Sequence, residues 1–168
     1  LDMRAAVPTL SIQAVWERLR WPLAGDPLIE LPQGSLNAEG AFDDYAYRLR
    51  TSLFGQPIPE TEIALVGTGD RQQTSITELS LNTLGGQVNA KGLAGWAPAP
   101  SWDLALTANG IDPGLQWPGL DGRVELKADS RGDLKDGFSY GLKVDASLER
   151  YPAALINLSG SGTGEQLT

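Results

Sequence analysis

The sequence predicts an all-β chain: an elongated, mostly antiparallel sheet. Three observations predict it. First, apolar and polar residues alternate over long runs. Phe138, Tyr140, Leu142, Val144, Ala146 and Leu148 point one way, and Ser139, Gly141, Lys143, Asp145, Ser147 and Glu149 the other. A period of two is a strand with one dry and one wet face; a helix would scatter these apolar residues and hold Gly141 in its interior at a cost. Second, the 11 prolines fall between such runs, where no ladder hydrogen bond is lost. Third, the 20 glycines and these prolines supply many turns.

In chain order, Leu10, Ile12, Ala14 and Trp16 alternate before Trp21-Pro22 stops the run. A helix over Val15 to Leu19 fits the pattern less well. Pro27 and Pro32 bracket a loop around a short Leu28–Leu31 segment, and Gly34 to Gly40 encloses a short strand with Leu36 and Ala38. After an Asp43-Asp44 turn, Tyr45, Tyr47, Leu49, Thr51 and Leu53 form a second clean amphipathic strand. Gly55 to Pro59 turns the chain; Ile63 and Leu65 follow, closed by a Gly67-Thr68-Gly69 hairpin turn. Between Ile76 and Leu79 the apolar parity slips by one, the mark of a bulge. Gly85-Gly86 is a hairpin signal, since both positions tolerate positive φ. Val88 and Ala90 follow, then a loop carrying Trp96, then Trp102, Leu104, Leu106 and Ala108 in phase. Asn109 to Gly114 breaks that run, and Val124, Leu126 and Ala128 resume it. Beyond the Phe138–Leu148 strand, Ile156 and Leu158 mark the last one. The turn signals give roughly ten to twelve strands of about five to eleven residues.

Composition excludes several kinds of chemistry. With 13 Lys and Arg against 21 Asp and Glu, the net charge of −8 argues against non-specific nucleic-acid binding and against adsorption to an anionic bilayer. There is no Cys and no His, which removes thiol catalysis, soft metal sites and imidazole acid–base chemistry. No apolar run is long enough to span a membrane as a helix. Gly160-Ser161-Gly162-Thr163-Gly164 lacks the Lys and following helix of a phosphate loop. Asp129, Asp133 and Asp136 lack calcium-loop spacing. No enzyme activity, cofactor or metal site is expected.

Two parts of the chain align as an internal repeat of roughly ninety residues, about 19–92 and 115–168, the second copy truncated. Leu19-Arg20-Trp21-Pro22 matches Leu115-Gln116-Trp117-Pro118, Gly34-Ser35-Leu36 matches Gly122-Arg123-Val124, and Tyr45-Ala46-Tyr47 matches Phe138-Ser139-Tyr140. A repeating amphipathic β unit points to a quasi-one-dimensional sheet, so residues 1–168 read as one segment of a longer protein.

The Trp-Pro pairs after strands (Trp21-Pro22, Trp117-Pro118), Leu84-Gly85-Gly86, Trp102-Asp103-Leu104 with Ile111-Asp112-Pro113-Gly114, and Leu134-Lys135-Asp136-Gly137 come in an order that resembles the TamB family. That family is the inner-membrane subunit of a bacterial translocation and assembly module, within the AsmA-like bridge-type lipid-transfer proteins. The resemblance covers essentially the whole chain. It implies a sheet folded lengthwise into a U-shaped groove, a "β-taco", with an apolar interior. It also implies a periplasmic location, an N-terminal inner-membrane helix outside this sequence, and an outer-membrane barrel partner, TamA. The far C-terminal segment that contacts TamA is not recognisable here, so that contact is not expected of this piece.

An apolar trough suits acyl chains, because weak, non-directional contacts with aliphatic side chains let a chain slide. The candidate trough residues are Leu49, Leu53, Ile63, Leu65, Leu104, Leu106, Val124, Leu126, Tyr140, Leu142, Val144 and Leu148. Alternation alone more often marks the core of a closed sandwich; the resemblance reverses that and points to phospholipid transport between inner and outer membranes. Two rivals make different predictions. A scaffold for outer-membrane barrels and autotransporters would bind unfolded strands through an exposed sheet edge. A secreted β-solenoid would have a filled interior and a shorter repeat.

Overall fold

The alternating runs become ten antiparallel strands. The computed structural model describes residues 8–55 and 58–163. Its strands are β1 (Thr9–Trp21), β2 (Ile29–Ala41), β3 (Asp44–Gly55), β4 (Thr61–Gly69), β5 (Gln73–Thr83), β6 (Gly86–Gly95), β7 (Ser101–Ile111), β8 (Gly122–Asp133), β9 (Gly137–Leu148) and β10 (Ala154–Gly162). A 3-10 turn, Pro113–Leu115, stands between β7 and β8, and no α-helix occurs among the described residues. Each strand pairs with its sequence neighbours, so the spatial order runs β1 to β10 without a crossover. The sheet curls lengthwise but does not close, since β1 and β10 do not pair. It is an antiparallel meander, not the parallel coil of a solenoid.

Bulges bend the sheet where the register shifts. On β5, Thr77 and Glu78 stand opposite a single residue of β6, Lys91, at the place where the parity slip between Ile76 and Leu79 predicts a bulge. A second lies on β7, where Asn109 and Gly110 face Glu125 between the pairs Ala108–Leu126 and Ile111–Val124. Gly110 has φ +67° there, a conformation that glycine adopts without strain.

Three local expectations are corrected. Pro32 does not lie between strands: it sits inside β2, where the β2–β3 register shifts between Glu30 and Gly34. A bulge is a place where a strand tolerates the missing N–H, so the two short segments around Pro32 join into one strand. Gly67-Thr68-Gly69 is the last part of β4 and no turn, because the rings of Tyr47 and Tyr45 on β3 occupy the space above those glycines. Trp117-Pro118 follows the 3-10 turn instead of a strand. The strands are also longer than expected, 9 to 13 residues. Of the Gly55–Pro59 turn, residues 56–57 lie outside the described residues.

Two of the sequence motifs meet at one rim. Asp112 N–H donates to Leu84 O at 2.9 Å, and Asp112 Oδ1 accepts from Gly114 N at 2.9 Å and Gly122 N at 3.1 Å. One aspartate thus ties the β5–β6 hairpin, the 3-10 turn and the start of β8 together.

Candidate functional site

In an antiparallel ladder directly paired residues share a face, so the register sorts every side chain. Rows across the sheet are named here for their β3 member. The Leu49 row reads Ala14, Leu36, Leu49, Leu65 and Leu79 over β1 to β5. It continues as Ala90, Leu106, Ala128, Leu142 and Leu158 over β6 to β10. It therefore crosses all ten strands with nothing but leucine and alanine. The adjacent Thr51 row reads Trp16, Gly34, Thr51, Ile63, Leu81, Val88, Ala108, Leu126, Val144 and Ile156. On the other side lie the Tyr47 row, with Leu104 and Tyr140, and the Tyr45 row, with Trp102 and Phe138. None of these four rows, across ten strands, contains a charged residue. At about 4.8 Å per strand the stripe is roughly 43 Å long.

The register brings the twelve candidate residues onto one face. Leu49, Leu65, Leu106 and Leu142 are in the Leu49 row; Ile63, Leu126 and Val144 in the Thr51 row; Leu104 and Tyr140 in the Tyr47 row. Leu53 pairs with Thr61 one row further out, where Val124 also lies, and Leu148 pairs with Gly122 beyond it. This is the inner face of the curl. The most shielded described residues, Ala38 and Ala108 at 7% and Thr61 at 8%, are all on it. No large side chain among the described residues is fully enclosed, so the face is open and is not the core of a closed sandwich.

Sequence reasoning missed Leu36, Leu79 and Leu158, which with Ala14, Ala90 and Ala128 complete the Leu49 row, and it missed what the glycines do. On the inner face, rings lie across glycines of the next strand. A Cβ at Gly69 would come within 2.5 Å of Tyr45 Oη, one at Gly160 within 2.6 Å of Tyr140 Oη, and one at Gly162 within 3.2 Å of the Phe138 ring. Trp16 covers Gly34 and Tyr47 covers Gly67 in the same way. The missed signal was parity: Gly160 and Gly162 are in phase with Ile156 and Leu158. Two polar tips in these rows are matched by neighbouring hydroxyls: Tyr47 Oη with Thr74 Oγ1 at 2.8 Å, and Trp102 Nε1 donating to Ser130 Oγ at 2.8 Å.

The outer face is polar. Along β8 it presents Arg123, Glu125, Lys127, Asp129, Arg131 and Asp133, alternating in sign. Glu125 stands opposite Asp145, and Lys127 opposite Lys143. A cleft of about 510 Å³ lies chiefly on this side, near Ser35, Arg50, Glu62 and Asn82, and also touches Trp16, Gly34, Thr51 and Ile63 of the Thr51 row. Trp96 is 48% exposed in its loop, but its Nε1 donates to Arg71 O at 2.7 Å, which pins it to the neighbouring turn.

Two turns on the rim beyond the Tyr45 row are closed by aspartates. Asp70 Oδ1 accepts from Gln72 N at 2.6 Å and Gln73 N at 3.0 Å. Asp133 Oδ1 accepts from the Asp136 and Lys135 amides. Bonds to the ionised form, from Gln72 first in one case and Asp136 first in the other, hold both carboxyls below the ordinary aspartate range. Among the described residues no group of acidic side chains is arranged to hold a metal.

Comparison with known families gives a match to the TamB N-terminal domain over residues 2–145. No solved structure matches the chain.

Proposed function

The chain belongs to the TamB N-terminal domain family, and from that premise we propose that its groove shields phospholipid acyl chains in transit between the inner and outer membranes. The observation that carries this reading is the uncharged inner face, continuous over all ten strands. Bringing a sixteen-carbon chain into water costs about 0.8 kcal/mol per methylene, on the order of 12 kcal/mol in all. A stripe without a charge or a gap removes most of that cost at every point along the path. In this reading the chain works in the periplasm, within a protein held by an inner-membrane helix, and carries out no chemical step.

The test uses the two faces of β9. Leu142 pairs with Ala128 and Leu158 on the inner face, and Lys143 pairs with Lys127 and Asn157 on the outer. Photo-crosslinking residues at each position, in the full-length protein in cells, should give lipid adducts at Leu142 and none at Lys143. Adducts at neither position sink the proposal.

The assembly-scaffold reading is the second, and it needs an open sheet edge; among the described residues β1 and β10 are the outermost strands. An unfolded strand adding to such an edge would use backbone hydrogen bonds. That reading predicts crosslinks from Asn157 to barrel or autotransporter precursors.

A further inference from the structure

The groove is not the same from rim to rim. All five aromatic residues of the Tyr45 and Tyr47 rows, namely Tyr45, Tyr47, Trp102, Phe138 and Tyr140, lie toward the rim formed by the β2–β3, β4–β5, β6–β7 and β8–β9 turns. The Leu49 row has no aromatic residue at all. Hydroxyls stand on both sides: Thr74 and Ser130 sit in the aromatic rows and meet Tyr47 and Trp102 there, whereas Thr51, Thr61 and Thr83, toward the opposite rim, donate to backbone carbonyls. Tyr140 is 46% exposed, with its ring laid over Gly160, so its face is presented to the groove.

We propose that this banding orients the cargo. On the lipid reading above, which it deepens, a diacyl glycerophospholipid lies with its headgroup and glycerol ester region on the aromatic rim and its two chains across the Leu49 and Thr51 rows. Tyrosine and tryptophan, apolar in body and polar at the tip, favour the level of a lipid where the hydrocarbon ends and water begins. The dimensions agree. From Tyr140 to Val144 is four residues of β9, about 14 Å at 3.4 Å per residue. One acyl layer of a bilayer is about 15 Å, half of a 30 Å hydrocarbon core. Reversing the lipid would set its ester groups at the opposite rim, where the Thr51, Thr61 and Thr83 hydroxyls already donate to backbone carbonyls, and would leave the aromatic rows against hydrocarbon. A polar group left unsatisfied costs about 1–3 kcal/mol, so one orientation should be favoured about tenfold or more.

The experiment uses two photoactivatable phospholipids in vesicles of phosphatidylethanolamine and phosphatidylglycerol, one with its diazirine on the headgroup and one at the acyl terminus. Each is incubated with the full-length protein, and adducts are mapped by peptide mass spectrometry. The headgroup probe should label Tyr45, Tyr47, Trp102 or Tyr140 about tenfold more often than Val144 or Ala146, and the acyl-terminal probe should show the reverse preference. Equal labelling by both probes, or headgroup adducts on the opposite rim, overturns the orientation and leaves the lipid groove standing. No groove adduct from either probe overturns both. In a Tyr45→Leu, Tyr47→Leu, Tyr140→Leu variant, acyl adducts should persist while the headgroup probe loses its preference. A preference that survives in the variant overturns the role given to these rings.

Discussion

Five rings of the inner face lie down on glycines of the adjacent strand, and each pairing constrains both partners. A ring that covers a glycine shields backbone that would otherwise face water, and it needs the missing Cβ to do so. Gly160→Ala should therefore destabilise by about 1–3 kcal/mol, the range for overpacking, by lifting the Tyr140 ring. Denaturant unfolding measures the loss. The double variant with Tyr140→Ala should lose less than the two single losses added, and strict additivity would show that ring and glycine are uncoupled. The turn aspartates act at the same scale. Asp70 and Asp133 have folded-state pKa values below the ordinary one of about 3.9. Their contribution is thus complete above about pH 4 and is lost as the pH falls through the depressed folded-state values. The melting-temperature gap between the wild type and an Asp70→Ala, Asp133→Ala variant should narrow between pH 6 and pH 3. A gap independent of pH would remove these carboxylates from the account.

Strands carry the face, and parity is what keeps it uncharged. A one-residue slip moves every later side chain of a strand to the other face. The β5 bulge makes the point testable, because Thr77 is the extra residue. Deleting it leaves Ile76, Glu78 and Leu79 in strict alternation, with both apolar residues still inward. Deleting Thr107 from the regular part of β7 instead forces Leu106 and Ala108 onto opposite faces. Circular dichroism should report a folded sheet for the first deletion and an unfolded chain for the second; equal outcomes would refute the parity argument. The same logic explains what the sequence made legible. Alternation of large residues located β3, β7, β8 and β9, and even the slip at Ile76–Leu79. Glycine and proline misled, because each was read as punctuation. Gly67, Gly69, Gly160 and Gly162 lie within strands beneath rings that belong to other strands, and Pro32 sits in a bulge defined by its pairing with β3. Those facts are non-local. The twelve candidate groove residues were found from local phase, whereas the unbroken Leu49 row emerges only once all nine pairings are known.

Across the whole molecule, close backbone contact joins strands that are sequence neighbours and no distant pair of strands to a comparable degree. Stability then sums over neighbouring pairs, as in repeat proteins. Amide hydrogen exchange should be slowest in β4 to β7 and quicken toward β1 and β10, a gradient that a single cooperative core would not give. The domain match and the open, uncharged face work at this scale too: a groove can be lengthened by further hairpins without redesign of those already present. The meander has a mechanical consequence as well. Tension applied to the two chain ends loads the outermost ladder first, across its hydrogen bonds and one pair at a time. Under a stretching force the sheet should peel strand by strand at low load, each hairpin paying out slack, instead of rupturing in one event. A tether built this way would yield when its anchorages draw apart and zip closed when they return, and optical-tweezers traces would show that as a ladder of small, reversible steps.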